Sequence, residues 1–166
     1  MTSVLQSRDV TGVVSDRPPM PAQPAMRTDA VSVVFTTVED TLKAARAAAE
    51  MAAAMGVPLR IVHFRTVPRQ LPVNHPDGLS PIETQSFIGR LRDEGIDARM
   101  RVYLCRDEVK TIGFAFRSNS IVFIGGHRSW WPTRAERWRH ALEGAGHFVV
   151  FVDPSEHESS KEQAHA

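Results

Sequence analysis

The fold of this chain is decided by residues 31–64, which read VSVVFTTVEDTLKAARAAAEMAAAMGVPLRIVHF. They begin with a short, nearly continuous apolar run, Val31–Thr36, which is typical of a strand covered on both faces. An alanine-rich segment follows and ends at Gly56, a residue type that commonly stops a helix. Leu59–Phe64 is a second apolar run. The stretch therefore predicts strand, helix and strand, the repeating unit of parallel sheets.

The predicted helix has two overlapping start signals. Thr36 and Glu39 have the spacing of a capping box, in which the two side chains satisfy backbone amides at the helix start. Thr37 and Asp40 form a weaker version of the same signal one residue later.

The same alternation continues through the rest of the chain. Further strands are predicted at Ala98–Cys105, Ser120–Ile124 and His147–Val152. Helices are predicted between Ser80 and Gly95, from Asp107 to about Arg117, and from a capping box at Thr133 and Glu136 through Leu142. The order β-α-β-α-β-α-β-α-β predicts the α/β class, with a parallel sheet and helices on both faces.

The chain ends differ in composition from this central part. Residues 1–30 contain no aromatic residue and four of the eleven prolines, so they offer little apolar surface to offset the entropy of ordering. Residues 154–166 are polar and acidic. We therefore predict a flexible N-terminal extension (1–30), one α/β domain (31–153) and an acidic flexible tail (154–166).

Composition narrows the function classes. The net charge of +1 conceals a basic segment, 127–140, with three net positive charges and an acidic segment, 153–166, with three net negative charges. The two segments cancel, so a general polyanion binder is disfavoured and nucleic acid is an unlikely partner. No apolar run is long enough to span a membrane, and no signal peptide is recognisable, so a cytoplasmic protein is expected. The seven histidines have no metal-ligand spacing, and no metal is predicted.

Catalytic patterns are missing from the sequence: it has neither G-x-S-x-G nor a P-loop, so we predict a protein that is not an enzyme. The single cysteine, Cys105, precludes an internal disulfide. The start of the following helix and Arg106 could lower the pKa of its thiol, whereas burial as a small apolar residue is the more frequent role of a lone cysteine.

Four stretches together resemble the universal stress protein family: Val31–Val34 before the alanine-rich helix, MGVPLRIVH at 55–63, SIVFIGG at 120–126 and GHFVVFV at 146–152. The resemblance extends from about Val31 to Asp153. It implies a Rossmann-like, five-stranded parallel sheet of order 3-2-1-4-5 and a homodimer formed through the last strand.

The chain departs from the ATP-binding motif of that family. In family members that bind ATP, G-x-x-G, nine residues and G-[ST] follow the fourth strand, and backbone amides there hold phosphate. Here residues 128–129 are Arg-Ser where the second glycine is expected, and Pro-Thr at 132–133 stands in place of the final pair, which makes the loop about six residues short. The aspartate expected after the first strand is also absent, with Thr36 closest to its place. The motif is degenerate, and no cofactor is predicted, with ATP or another nucleotide as the alternative.

Ligands of open parallel sheets bind beyond the carboxyl ends of the strands, where the strand order reverses. With order 3-2-1-4-5, this switch point lies between strands one and four. Arginines and a helix start there predict a small anionic ligand, against the alternative of a tight turn with a solvated charged face. The residues predicted to border the ligand are Thr36, Thr37, Gly125, Gly126, His127, Arg128, Thr133 and Arg134.

Partner binding is the second predicted activity. Trp130 and Trp131 are adjacent in a predicted loop, where they could anchor a partner, stack on a base or form a lid, whereas Trp138 follows an apolar helix stripe and is expected in the core. The last strand is apolar on both faces and lies at the sheet edge, which predicts a homodimer contact that includes His147, Val149 and Phe151. We therefore predict a non-catalytic binding module. The alternatives are a stress protein that binds or weakly hydrolyses nucleotides through a rebuilt, arginine-rich loop and an accessory subunit of a larger assembly.

Overall fold

The computed structural model describes residues 28–70, 81–127 and 129–153, with the backbone alone for 81–83. Four predicted features lie outside the described residues: the helix cap at Ser80, the ligand contact of Arg128, residues 1–27 of the extension and the tail 154–166.

Strands and helices alternate through the described residues, as predicted. The strands are Val31–Val34 (β1), Leu59–Thr66 (β2), Ala98–Cys105 (β3), Ile121–Gly125 (β4) and Phe148–Val152 (β5). The helices are Val38–Met55 (α1), Pro81–Asp93 (α2), Glu108–Ile112 (α3) and Arg134–Gly144 (α4). None of these helices is long and apolar enough to cross a membrane.

The strands form one parallel sheet in the order β3-β2-β1-β4-β5, which confirms the predicted α/β topology. β1 lies in the middle, and all four of its residues are buried. Helices α1 and α2 pack on one face of the sheet, where Leu42 and Phe87 join the core. Helices α3 and α4 pack on the other face with Ile112 and Trp138. Both faces are therefore covered, as the apolar strand runs require.

Helix α1 begins one residue later than the stronger start signal indicated. Thr37 is the N-cap: its hydroxyl accepts a hydrogen bond from the Asp40 amide at 3.2 Å. The Thr36 hydroxyl is engaged elsewhere, since it donates to the carbonyl oxygen of Gly125 at 2.8 Å. A contact between distant parts of the chain thus selects Thr37 over Thr36. The helix stops at Gly56, whose φ of 67° is left-handed, as predicted.

The predicted starts of α3 and α4, on the face of the sheet opposite α1, are confirmed, but the predicted lengths of these helices are not. Asp107 caps α3, and Thr133 forms a reciprocal capping box with Glu136 at the start of α4. Helix α3 ends at Ile112, about one turn short of its predicted end at Arg117. With only five residues, α3 covers a small part of its sheet face.

Candidate functional site

The switch point lies between β1 and β4, which are hydrogen-bonded neighbours in the centre of the sheet. The residues after these two strands meet there, because parallel strands end at the same edge. Thr36 follows β1, Gly126 and His127 follow β4, and the Thr36–Gly125 hydrogen bond joins the two segments. The structure thus brings Thr36, Thr37, Gly125, Gly126 and His127 to one edge of the sheet.

Both helices that approach this edge press directly against its glycines. A Cβ atom placed on Gly125 would lie 2.0 Å from the carbonyl oxygen of Asp40, so the first turn of α1 rests on the β4 backbone. A Cβ on Gly126 would lie 2.8 Å from the Cβ of Ala135 in α4 and 3.4 Å from the ring of Phe151. The glycines therefore serve close packing of helix on sheet, and Gly125 and Gly126 are buried. The switch point is closed at this position.

Two of the basic residues predicted for an anion site, Arg134 and His127, are described, and both lie beside carboxylates. Arg134 Nε donates to Glu108 Oε2 at 2.9 Å, and its Nη2 bonds the other carboxylate oxygen. The same guanidinium lies 4.4 Å from the Trp138 ring centroid. His127 Nε2 is 3.6 Å from Asp40 Oδ1. Because Arg134 has two hydrogen bonds to one carboxylate and stacks on an indole, binding a ligand there would require breaking that pair.

The three tryptophans differ in burial, as the sequence suggested. Trp138 is 1% exposed and packs its ring at 6.1 Å from Phe64, which confirms its place in the core. Trp130 and Trp131 are 94% and 77% exposed, so neither forms a lid over the described residues. Two adjacent indoles in water present a large apolar surface without a cover in the described part of the chain.

An apolar cavity of about 350 Å³ lies beside the switch point, at the carboxyl ends of β1 and β2. Phe35 lines it, and its ring centroid lies 4.6 Å from that of His63 and 5.0 Å from that of Phe87. Thr37 and Met100 also line it. Of these residues only Thr37 was expected at a ligand site. Phe35 and His63 lie 28 positions apart, and the signal that could have found them is the meeting of β1 and β2 at their carboxyl ends.

Strand β5 has an inner and an outer set of backbone groups. The Phe148 amide donates to Ser120 in front of β4, and the Gly126 amide donates to the carbonyl of Val152. In a parallel ladder the residues that bond one neighbour alternate, so Phe148, Val150 and Val152 face β4. The N–H and C=O groups of Val149 and Phe151 therefore point to the free edge, where no described strand pairs with them.

The side chains of β5 differ in accessibility. Phe148 is 50% exposed, and Val149 and Phe151 are half-buried on the α4 side, where Arg139 lies 5.9 Å from the Phe151 ring. His147 is only 7% exposed and packs against Phe116. Neither ring nitrogen of His147 has a hydrogen-bond partner among the described residues. The His147 side chain thus packs in the interior, whereas Val149 and Phe151 direct their backbone groups to the edge and their side chains toward α4.

Cys105, at the end of β3, is a buried free thiol. Burial raises the pKa of the Cys105 thiol and outweighs the opposite effect of a hydrogen bond with Thr111, while Glu108 and Asp107 raise the pKa further and Arg134 lowers it slightly. The pKa is therefore raised and not lowered as the start of α3 and Arg106 suggested, because desolvation of the thiolate is the largest effect. A thiol of this kind is not an activated nucleophile. Among the described residues, no group of three histidine, cysteine or carboxylate side chains could hold a metal ion.

The comparisons with known proteins agree with this fold. No protein-family model matches the chain, and no curated protein is similar enough in sequence to match it. Solved structures of universal stress proteins do match: one from Archaeoglobus fulgidus (TM-score 0.55, 20% identity, 74% of this chain and 91% of that one) and one from Burkholderia pseudomallei (TM-score 0.50, 17% identity, 78% and 98%). A third, a universal stress protein solved in complex with cAMP, has a TM-score of 0.52 and 16% identity over 75% of this chain and 96% of that one. The chain therefore has the fold of universal stress proteins, at low sequence identity to them.

Proposed function

We propose that this chain is a non-catalytic binding module that acts as a homodimer formed through β5. The observation that carries the proposal is the outer edge of β5, where the backbone groups of Val149 and Phe151 are directed away from β4. The side chains of the strand are apolar on both faces and incompletely buried. An apolar edge strand of this kind pairs readily with another strand.

Pairing with a second copy of β5 about a two-fold axis would satisfy these groups. The same patch would then serve both subunits, so that one ten-stranded sheet would run through the dimer. Phe148, which is half exposed in the single chain, would lie at the end of the contact. The universal-stress-protein-like fold supports the same arrangement, since the family resemblance implies a dimer through the last strand.

Light scattering of the full chain at tens of micromolar tests the proposal, with Val149→Pro as the variant. Proline removes the outward N–H of Val149 and leaves the hydrogen bonds between β5 and β4 in place. We expect twice the chain mass for the natural sequence and the single mass for Val149→Pro. Val149→Thr is the matched control, since it keeps the amide and the β-branched shape, and it should remain dimeric. A single mass for the natural sequence would overturn the proposal.

A nucleotide-binding protein is the second candidate, favoured by the aromatic cavity around Phe35. A structure with the same fold holds cAMP, and rings such as Phe35 and His63 suit a base. The closed packing at Gly125 and the Glu108 partner of Arg134 speak against phosphate in the place where ATP-binding members hold it. Calorimetry with ATP, AMP and cAMP separates the candidates: heat that disappears in Phe35→Leu or Arg128→Ala would support nucleotide binding, and no heat with any nucleotide would remove it.

An accessory subunit of a larger assembly is the third candidate, favoured by the exposed pair Trp130 and Trp131. Adjacent exposed indoles are a common anchor for a protein partner. The extension predicted at 1–30 would be a further attachment. Capture of partners with and without residues 1–30, and with Trp130→Ser/Trp131→Ser, tests this role; an unchanged set of partners in both variants would exclude it.

A further inference from the structure

A groove of about 210 Å³ opens at the amino ends of β1, β2 and β4, on the face that carries α3 and α4. It lies at the opposite end of the strands from the switch point, where the fold gives no reason to expect a ligand. The groove exists because α3 has only five residues and leaves the first half of β2 and β3 uncovered. The segment that returns from α3 to β4 forms one wall, and Ala115 and Phe116 lie in it.

Arginines occupy the uncovered sheet face. Arg60 of β2 and Arg101 of β3 line the groove, and Arg99 lies directly opposite Arg60 in the β2–β3 register. Like charges directly opposite each other in a sheet are destabilising. Within the described part of the chain, none of these three arginines forms an ion pair. These arginines thus share one sheet face with no carboxylate of the described residues paired to them.

Among the described lining residues, the one carboxylate is already engaged. Asp29 forms an ion pair with Arg117, whose guanidinium lines the other side of the groove. With three arginines and one aspartate, the lining carries two net positive charges. A ligand with two negative charges would neutralise it.

Thr28 supplies an independent sign of a missing partner. Its side chain is about nine-tenths buried and lines the groove, yet its Oγ1 has no hydrogen-bond partner among the described residues. Burying a hydroxyl without a hydrogen bond is unfavourable, and such groups are rare in folded proteins. Ser32 and Ser118 also line the groove and add hydroxyl groups. An oxyanion would accept hydrogen bonds from hydroxyls and guanidinium groups alike.

We propose that this groove binds a compact phosphate dianion through Arg60, Arg101 and Arg117, with Thr28 as a neutral donor. Guanidinium groups bind phosphate oxygens in pairs, and two net positive charges match one phosphate monoester. The volume of the groove suits a single phosphate group with a small substituent and is too small for a dinucleotide. The groove shares no lining residue with β5 or with the aromatic cavity, so the tests of dimerisation and nucleotide binding do not decide whether it binds phosphate.

Calorimetric titration of the full chain tests the proposal. The two probes are inorganic phosphate and glycerol 3-phosphate, at constant ionic strength set with potassium chloride, because exposed charges are screened by salt. Saturable binding of inorganic phosphate is expected; tighter binding of glycerol 3-phosphate would identify an ester as the natural ligand, and equal binding would identify the free ion. Acetate serves as the monoanionic control and should bind at least about tenfold more weakly than phosphate.

Variants assign the binding to the groove. Arg60→Gln and Arg101→Gln should each weaken phosphate binding about tenfold or more, because a charge-assisted pair is lost. The matched control is Arg92→Gln, an exposed arginine of α2 on the other face of the sheet, which should leave the affinity unchanged. Asp29→Asn should tighten binding several-fold, since it removes the competing carboxylate and frees Arg117.

Melting temperatures measured with and without phosphate provide a second test of the proposal. Without phosphate, Arg60→Gln should raise the melting temperature because it relieves charge repulsion between arginines. Thr28→Val should also raise it, because it removes a buried hydroxyl that has no hydrogen-bond partner among the described residues. Phosphate should raise the melting temperature of the natural sequence more than that of either variant. No saturable binding of either phosphate probe, or binding that Arg60→Gln and Arg101→Gln leave unchanged, would overturn the proposal.

Discussion

At the switch point, two glycines let α1 and α4 close on the sheet, whereas at the outer edge of β5 no described residue pairs with the backbone groups of Val149 and Phe151. Both are places where proteins with parallel sheets commonly meet other molecules. The difference teaches that the part of the chain seen in the structure fills the switch point with its own helices and does not cover the edge of β5. A function by association follows more directly from this arrangement than a function by ligand binding at the switch point.

The largest expected effect is that of Gly125→Ala. A methyl group at this position would lie 2.0 Å from the Asp40 carbonyl oxygen, so α1 would have to move away from β4. We expect the free energy of unfolding to fall by about 3 kcal/mol, the upper part of the usual range for overpacking. Chemical denaturation measures it.

The matched control for this variant is Gly144→Ala in α4, where an added methyl meets nothing within 4 Å. Its stability should be unchanged or raised by up to about 1 kcal/mol, because alanine favours the helix. If Gly125→Ala were as stable as the control, the switch point would be open and the comparison would fail.

A smaller effect is expected at His147, where β5 begins. His147→Leu removes two buried ring nitrogens that have no hydrogen-bond partner among the described residues, so the free energy of unfolding should rise by about 1 kcal/mol. The oligomeric state should not change, since this side chain packs inside the chain against Phe116.

His140→Leu is the control for that substitution. His140 is an exposed residue of α4, and its replacement should shift the stability by no more than about 0.5 kcal/mol. If His147→Leu abolished the dimer while His140→Leu did not, His147 would be a partner-binding residue after all, as the sequence had suggested.

The smallest expected effect concerns the ion pair that links α1 to the end of α2. Arg46 Nε and Nη2 donate to the two carboxylate oxygens of Glu94 at 2.7 and 2.8 Å. These hydrogen bonds lower the pKa of the Glu94 carboxyl, although burial opposes them. Because the pKa is lower in the folded chain, the stabilisation is present above the unfolded pKa and is lost as the pH falls through the folded pKa.

A double-mutant cycle of Arg46→Gln and Glu94→Gln measures this pair. Both side chains are partly exposed, so we expect a coupling of about 0.5 kcal/mol at neutral pH. The coupling should disappear in acid once Glu94 is protonated. A coupling that persisted in acid would show that the contact between α1 and the end of α2 rests on packing instead of charge.

Much of the fold could be predicted from the sequence because its signals are local. The apolar runs at Val31–Val34 and Ile121–Gly125 identify buried strands without reference to the rest of the chain. The Thr133–Glu136 box and Gly56 similarly mark helix ends by their own chemistry. The order of the strands in the sheet was accessible only through the family resemblance, and the observed order agrees with it.

The candidate site was less predictable, because its properties depend on pairs of residues distant in sequence. The sequence predicts that Thr36 caps a helix and contacts a ligand, but its hydroxyl donates a hydrogen bond to the carbonyl of Gly125, 89 positions away. The sequence predicts that Arg134 binds an anionic ligand, but its guanidinium is hydrogen-bonded to Glu108, 26 positions earlier. Gly125 was read as part of a phosphate loop, whereas its lack of a side chain serves contact with α1. No local pattern encodes any of these three contacts.

Hydrogen–deuterium exchange of the β5 amides tests the central claim most directly. At tens of micromolar, where the dimer should form, we expect the Val149 and Phe151 amides to be protected as strongly as that of Val150, which faces β4. After dilution to the monomer, Val149 and Phe151 should exchange rapidly while Val150 stays protected. Rapid exchange of Val149 and Phe151 at both concentrations, or equal protection at both, would contradict a dimer through β5.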